Sequence, residues 1–150
     1  NKGLVVLIAA GNSGPTPKTI GSPGIEPSII TIGSFNDMGT VDRKDDKMSR
    51  YSSIGPTIDG IVKPDLVSPG QNITSLKPGG GYTTMSGTSM ATPVAAGLVA
   101  DMLEANPSLT PDEVKEILMS TAEDRGLDPN MQGAGYIDGE KAIEKAMKMA

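Results

Sequence analysis

Apolar residues recur along this chain with two different spacings, and each predicts its own kind of element. Gly3 to Ala10 (GLVVLIAA) is an unbroken apolar run that stops at Gly11, the pattern of a central parallel strand covered on both faces. Ser28 to Phe35 (SIITIGSF) predicts a second strand. The interval between them, Gly11 to Gly24, is crowded with Gly, Ser and Pro, and two strands joined without a helix imply a functional loop. Asn36 to Tyr51 has no apolar period and carries both signs of charge, so a solvated loop is expected there. Short strands are predicted around Ile58 to Val67, Ile73 to Leu76 and Tyr82 to Met85, with Pro69-Gly70 and Pro78-Gly79-Gly80 as turns.

From Ser89 onward the spacing changes. Ala91, Val94, Ala95, Leu98, Val99 and Met102 recur at helical intervals, and Ala and Gly fill most of the remaining places, which predicts a helix buried on all sides. Thr110-Pro111-Asp112-Glu113 is a capping box with Pro at the first helical position. Val114, Ile117, Leu118 and Thr121 then mark one face of a second helix, with Gly126 as its expected end. A last helix is predicted after Asp138, with Ala142, Ile143, Ala146 and Met147 inward. There is no internal repeat and no long linker, and 150 residues suit one compact unit or one part of a larger one.

Composition narrows the function classes. A net charge of −5 without clustered Lys and Arg argues against a nucleic-acid surface. No apolar run approaches the roughly 18 residues of a membrane span. The absence of Cys removes a disulfide framework, a thiolate nucleophile and a cysteine metal site, and leaves the compartment open. Asp42, Asp45 and Asp46 offer carboxylates for calcium, but Arg43, Lys44 and Lys47 are interleaved with them, and the metal ligands stay unassigned. The chain opens on Asn1-Lys2-Gly3 and an apolar strand without an initiator Met, which reads as a piece cut from a longer protein.

The candidate chemistry lies in Ser86-Gly87-Thr88-Ser89-Met90-Ala91-Thr92-Pro93. A serine where a buried helix begins has unpaired N–H groups and the positive end of the helix dipole beside it, and Gly87 and Ala91 are small enough to admit a substrate carbonyl. The residues alone leave two readings open: Ser89 is a nucleophile, or one of Ser86, Thr88 and Ser89 caps the helix. A serine nucleophile needs a base, and the chain contains no His.

Gly87-Thr88-Ser89-Met90-Ala91-Thr92-Pro93 resembles the nucleophile signature of the subtilisin-like serine proteases. Ala9-Ala10-Gly11-Asn12-Ser13-Gly14 is similar to that family's oxyanion-hole motif. Ile20-Gly21-Ser22-Pro23-Gly24, Val67-Ser68-Pro69-Gly70, Asn106-Pro107 and Gly133-Ala134-Gly135-Tyr136-Ile137 follow in matching order, so the resemblance covers essentially the full chain. It implies an α/β fold, the C-terminal part of a three-layer architecture with a mainly parallel sheet flanked by helices. Residues 1–150 would be that part of one peptidase catalytic domain.

The family's triad runs Asp, His, Ser along the sequence, so both partners of Ser89 would lie upstream and the missing His follows from truncation. An α/β-hydrolase elbow would instead place its His after the serine, and none is there. By resemblance, Ser89 attacks the scissile peptide carbonyl of a polypeptide substrate. Its own N–H and the Asn12 side chain then hold the oxyanion. Ala9, Ala10 and Gly11, with Gly21, would form one wall and the floor of the pocket for the side chain preceding the scissile bond. No cofactor is required for such chemistry, structural calcium is common in the family, and Ser22-Pro23 is expected to be cis by analogy. Val94 departs from the pattern, because His often follows Pro93 in the family; that position lies outside the triad. The isolated chain would be inactive, would need the N-terminal half of the same domain as its partner, and would tend to associate through exposed edges. The competing reading is a non-catalytic peptide-binding or scaffolding relative.

Overall fold

A computed structural model describes residues 2–150. The first strand, β1 (Leu7–Ala9), is followed by β2 (Ile30–Asn36), β3 (Lys47–Met48), β4 (Leu66–Pro69), β5 (Ile73–Leu76) and β6 (Tyr82–Met85). The helices are α1 (Thr88–Ala105), α2 (Pro111–Thr121), α3 (Pro129–Gln132) and α4 (Gly139–Lys148). β2 is the centre of the sheet: β1 and β4 lie parallel to it on opposite sides, and β3 pairs antiparallel with its last two residues. β5 and β6 form a separate antiparallel hairpin.

One apolar core joins Ile30, Ile32, Leu66 and Val67 of the sheet to Ala91, Ala95, Val99 and Met102 of α1 and to Val114, Ile117 and Ala142 of α2 and α4. Phe35 and Tyr136 close it with ring centroids 4.5 Å apart. Gly135–Ile137 runs along the free side of β4, where Val67 N–H donates to Gly135 O and Ile137 N–H to Val67 O. Asn106 ends α1 and ties it to α4 through Nδ2, which donates to Ala146 O at 3.1 Å. Lys63 is buried with its ammonium 2.7 Å from Asp65, whose carboxylate also takes the Thr31 N–H and a 3.3 Å ion pair from Lys115 on α2. Burial pushes the Lys63 pKa down, opposed by the hydrogen bond to Asp65. No helix among the described residues is long and apolar enough to cross a membrane.

The elements match the expected order, and several boundaries differ for identifiable reasons. Only Leu7–Ala9 of the run Gly3 to Ala10 pairs as strand, and it forms the sheet's edge, with Leu4 70% exposed. The stretch Ile58 to Val67 is a turn followed by irregular backbone: Thr57 and Ile61 are hydrogen-bonded across Gly60, Ile58 is 89% exposed, and the strand begins only at Leu66. α2 stops at Thr121 rather than near Gly126, because Glu123 exchanges both backbone hydrogen bonds with Tyr136 and draws the chain out of the helix. The capping box at Thr110 and Glu113 is present in both directions. α1 buries one face instead of all sides, leaving Pro93, Gly97 and Ala100 exposed and Val94 39% exposed. Ala142 and Ala146 face inward on α4, whereas Met147 is 59% exposed.

The polar segment from Asn36 to Tyr51 is solvated in its first part only. Asp42 accepts from Lys44 N–H, Asp45 accepts from Thr40 Oγ1, and Asp46 is buried. The carboxylates of Asp42 and Asp45 thus serve the local turn, and among the described residues no group of three or more His, Cys, Asp or Glu is arranged to hold a metal ion. Ser49 near the segment's end and Ser52 and Ser53 just after it are buried.

Candidate active site

The site is assembled from two segments that follow β1 and precede α1. After Ala10 the chain turns through Gly11, whose φ of +109° suits glycine; a Cβ there would also sit 2.9 Å from Ser53 Oγ. This turn delivers Asn12 to the N-terminus of α1. The other segment is carried by the β4 turn: Gly87 N–H donates to Gly70 O at 2.9 Å, just before the helix starts. Gly70 is irreplaceable in this packing, since a Cβ would lie 2.5 Å from Ser34 Oγ and 2.7 Å from the Ala91 methyl. Tyr51 Oη donates to the same Gly70 carbonyl at 3.0 Å.

None of the three hydroxyls caps α1. Gly87 is the N-cap and makes no side-chain cap bond, while Ser86 Oγ accepts from Asn72 N–H at 2.8 Å. Asn12 serves the helix end instead, from 76 residues away: its Oδ1 accepts the Thr88 N–H and the Thr88 hydroxyl, both at 2.9 Å. Thr88 Oγ1 in turn accepts from Gly11 N–H at 3.1 Å. Thr88 is buried, and this chain of bonds defines which end of the Asn12 amide is oxygen. The Nδ2 donor is thereby turned away from Thr88. The capping alternative therefore fails on geometry, and Thr88 becomes the residue that organises both segments.

Ser89 is the second residue of α1 and is exposed. The N–H groups of Met90 and Ala91 donate to Gly87 O, and that of Thr88 to Asn12, which leaves the Ser89 N–H without an acceptor among the described residues. The Ser89 hydroxyl likewise makes no hydrogen bond among them. A point one Cβ bond from the Gly87 Cα lies 3.4 Å from Asn12 Nδ2, 3.7 Å from Ser89 N and 3.5 Å from Met90 Sδ. Two N–H donors thus border one small space that the glycine leaves open, beside a serine hydroxyl without a partner among the described residues.

Of the pocket residues, Ala9 ends β1, Ala10 is fully enclosed, and Gly21 N–H donates to Ala10 O at 3.1 Å. Ala9, Gly11 and Gly21 keep some exposure, so the structure brings together the small residues singled out in the sequence. Nothing within 4 Å would oppose a Cβ on Gly21, which faces open space. Ser22-Pro23 is cis. On the other side of Ser89 an apolar groove of ≈ 490 Å³ runs between the β5–β6 hairpin and the first turns of α1, lined in part by Ile73, Leu76, Met85, Met90 and Val94.

Thr88 and Ser53 were not singled out as site residues by sequence reasoning. Thr88 carried a signal, a β-branched residue in the first helical turn directly before Ser89. Ser53 carried none.

With this geometry in view, comparison with known proteins is decisive. The model of the Subtilase family matches residues 1–135. The chain belongs to the subtilase family. Serine protease AprX of Bacillus subtilis is 46% identical over 156 aligned residues, which cover 94% of this chain and 35% of AprX. The halolysin-like extracellular serine protease Nep of Natrialba magadii is 35% identical and covered over 23% of its length. The solved structure of Sphericase superposes with a TM-score of 0.79 at 31% identity, over 91% of this chain and 48% of that one. The fold is therefore the α/β fold of subtilisin-like proteases, and the chain spans about a third of the length of AprX and about half of Sphericase.

Proposed function

We propose that residues 1–150 are the C-terminal part of a subtilase catalytic domain and that Ser89 is its nucleophile. The observation that carries this reading is the convergence of Asn12 Nδ2 and the Ser89 N–H on the space beside Gly87, next to a serine hydroxyl with no partner among the described residues. Ser89 Oγ attacks the carbonyl carbon of a peptide bond, and its proton passes to a base. The carbonyl oxygen takes up the negative charge and is held by the two N–H donors. Collapse of the tetrahedral intermediate expels the amine, which takes the proton from that base, and leaves an acyl group on Ser89 for water to remove. Ala9, Gly11 and Gly21 border the side chain preceding the scissile bond, and their small size favours a large apolar group; Ala10, expected beside them, is fully enclosed and lies behind this wall.

The chain contains no His, so the base comes from outside these residues. In the family's order that is an upstream segment, and the apolar groove beside Ser89 offers that segment a face to pack on. Alone, the chain is inactive, because a serine without its base retains at most the ~10³–10⁴ over water that binding and the oxyanion site supply.

The test is labelling with a fluorophosphonate, comparing residues 1–150 alone, the same chain mixed with the upstream half of its parent protein, and the mixture carrying Ser89→Ala. Labelling in the mixture that disappears with Ser89→Ala is the expected result. No labelling of a mixture shown by light scattering to be assembled would overturn the catalytic reading in favour of a non-catalytic scaffold.

A further inference from the structure

We propose that Ser53 is a positioning residue that sets the direction in which Asn12 presents its amide; the inference rests on the reading of Asn12 as an oxyanion donor. Ser53 is 0% exposed and does not line the site, yet it holds both peptide groups that flank Asn12. Its backbone N–H donates to Gly11 O at 2.8 Å, and its Oγ accepts from Ser13 N–H at 2.9 Å. One residue further on, Gly14 N–H donates to Tyr51 O at 2.9 Å. Residues 51–53 therefore run beside residues 11–14 as a short ladder that belongs to neither sheet.

The need for such a clamp follows from where Asn12 sits. It is exposed on a loop rich in Gly and Pro, so packing does not hold it, and a donor that stabilises a developing charge must be in place before the charge appears. Two independent grips supply that placement. Thr88 holds the amide oxygen, and Ser53 holds the backbone from which the side chain extends. The closeness of Gly11 to Ser53 is part of the same fit, since any side chain at residue 11 would press on the Ser53 hydroxyl. Tyr51 extends the arrangement to the other segment, because its hydroxyl donates to the Gly70 carbonyl that also accepts the Gly87 N–H. The end of a polar stretch thus carries the geometry of both halves of the site. With Ser53→Ala the Ser13 N–H loses its acceptor, the Asn12–Ser13 peptide is held less firmly, and the amide shifts while everything that binds the substrate stays.

The experiment uses the assembled protease, residues 1–150 together with the upstream half, and a chromogenic peptide with a large apolar residue before the scissile amide. Ser53→Ala should lower kcat about tenfold with KM within about twofold, as expected for a reacting geometry displaced by a fraction of an ångström. In an Asn12→Ala background the same substitution should cost less than about twofold, because the group it positions is gone. Ser53→Cys, which keeps a weak acceptor, should recover part of the loss, and it carries the same comparison should Ser53→Ala fail to assemble. An equal loss of kcat in both backgrounds, or no loss in the first, overturns the inference. A wild-type assembly that is neither active nor labelled rejects the protease reading itself, and the inference with it.

Discussion

Thr88→Val is the sharpest single test of how the site is held. Valine has nearly the shape of threonine, so the fully enclosed side chain is exchanged without a cavity, and only the hydroxyl is lost. That hydroxyl accepts from Gly11 N–H at 3.1 Å and donates to Asn12 Oδ1 at 2.9 Å. Two such bonds contribute about 0.5–1.5 kcal/mol each, and the half-buried Gly11 N–H left without an acceptor adds about 1 kcal/mol more. The expected destabilisation is roughly 2–4 kcal/mol, a fall in Tm of roughly 4–16 °C for a chain of this size. The effect on turnover is bounded differently. Asn12 Oδ1 keeps the Thr88 N–H at 2.9 Å, so its amide is loosened but not released. The ceiling is the loss of the whole donor, which in a subtilisin costs about 10²–10³ in kcat. About tenfold in kcat with KM unchanged is expected for the assembled protease, and Thr88→Ser should restore both stability and rate. Thermal unfolding and initial rates on a peptide substrate measure the two effects. A Thr88→Val enzyme with unaltered kcat, or one whose defect lies in KM, would refute the argument that the hydroxyl aims the Asn12 donor.

Gly87→Ala places its methyl 3.4 Å from Asn12 Nδ2 and 3.7 Å from Ser89 N, contacts that fold without strain but occupy the space both donors face. The assembled protease should keep its Tm and lose about 10²-fold in kcat, judged against the cost of one oxyanion donor; wild-type turnover would show that the space is not used. Met90 Sδ borders the same point, so peroxide conversion of Met90 to the sulfoxide should slow turnover, and full activity after oxidation confirmed by mass spectrometry would exclude it. Glu123 is held below its ordinary pKa of 4.5 mainly by the hydrogen bond from Arg43, so the unfolded chain binds more protons than the folded one just below that pH. Its contribution is present above pH 4.5 and lost as pH falls through the lowered folded value; Glu123→Gln should flatten this acid limb of Tm against pH, and an unchanged limb would count against the Arg43 link. The unpaired edge of β1, with exposed Leu4 and Val6, and the bare face of α1 should make the isolated 150-residue chain self-associate, which a monodisperse monomer in light scattering would disprove.

The parts of the fold that could be read from the chain are those with a local cause. The capping box at Thr110 needs only four adjacent residues, and it is present as read. The apolar period of α1 marks a helix from either face, but periodicity cannot say how many faces find a neighbour within this chain. That is why Val94 and Pro93 are exposed on a helix that reads as buried throughout. The end of α2 was illegible for a related reason: Gly126 is the local stop signal, but pairing between Glu123 and Tyr136 acts first, and strand pairing across a dozen residues has no sequence signature at such short range.

The candidate site divides along the same line. Ser89 and Asn12 stand in short motifs, and the resemblance carries each of them without knowledge of the other's position. What joins them does not lie in either motif alone. Thr88 reaches Asn12 across 76 residues, and Ser53 reaches Ser13 across 40. Both contacts run from an ordinary hydroxyl residue to backbone or amide groups, for which serine and threonine serve at many places in any fold. What such residues hold is identified only from three-dimensional structure, and here both hold Asn12, the donor in the proposed reading, rather than Ser89. In the proposed reading, catalysis therefore depends on two layers with different legibility. The proposed reacting groups are few and stand in recognisable motifs, whereas the contacts by which Thr88 and Ser53 hold Asn12 and its backbone are recognisable only by distance.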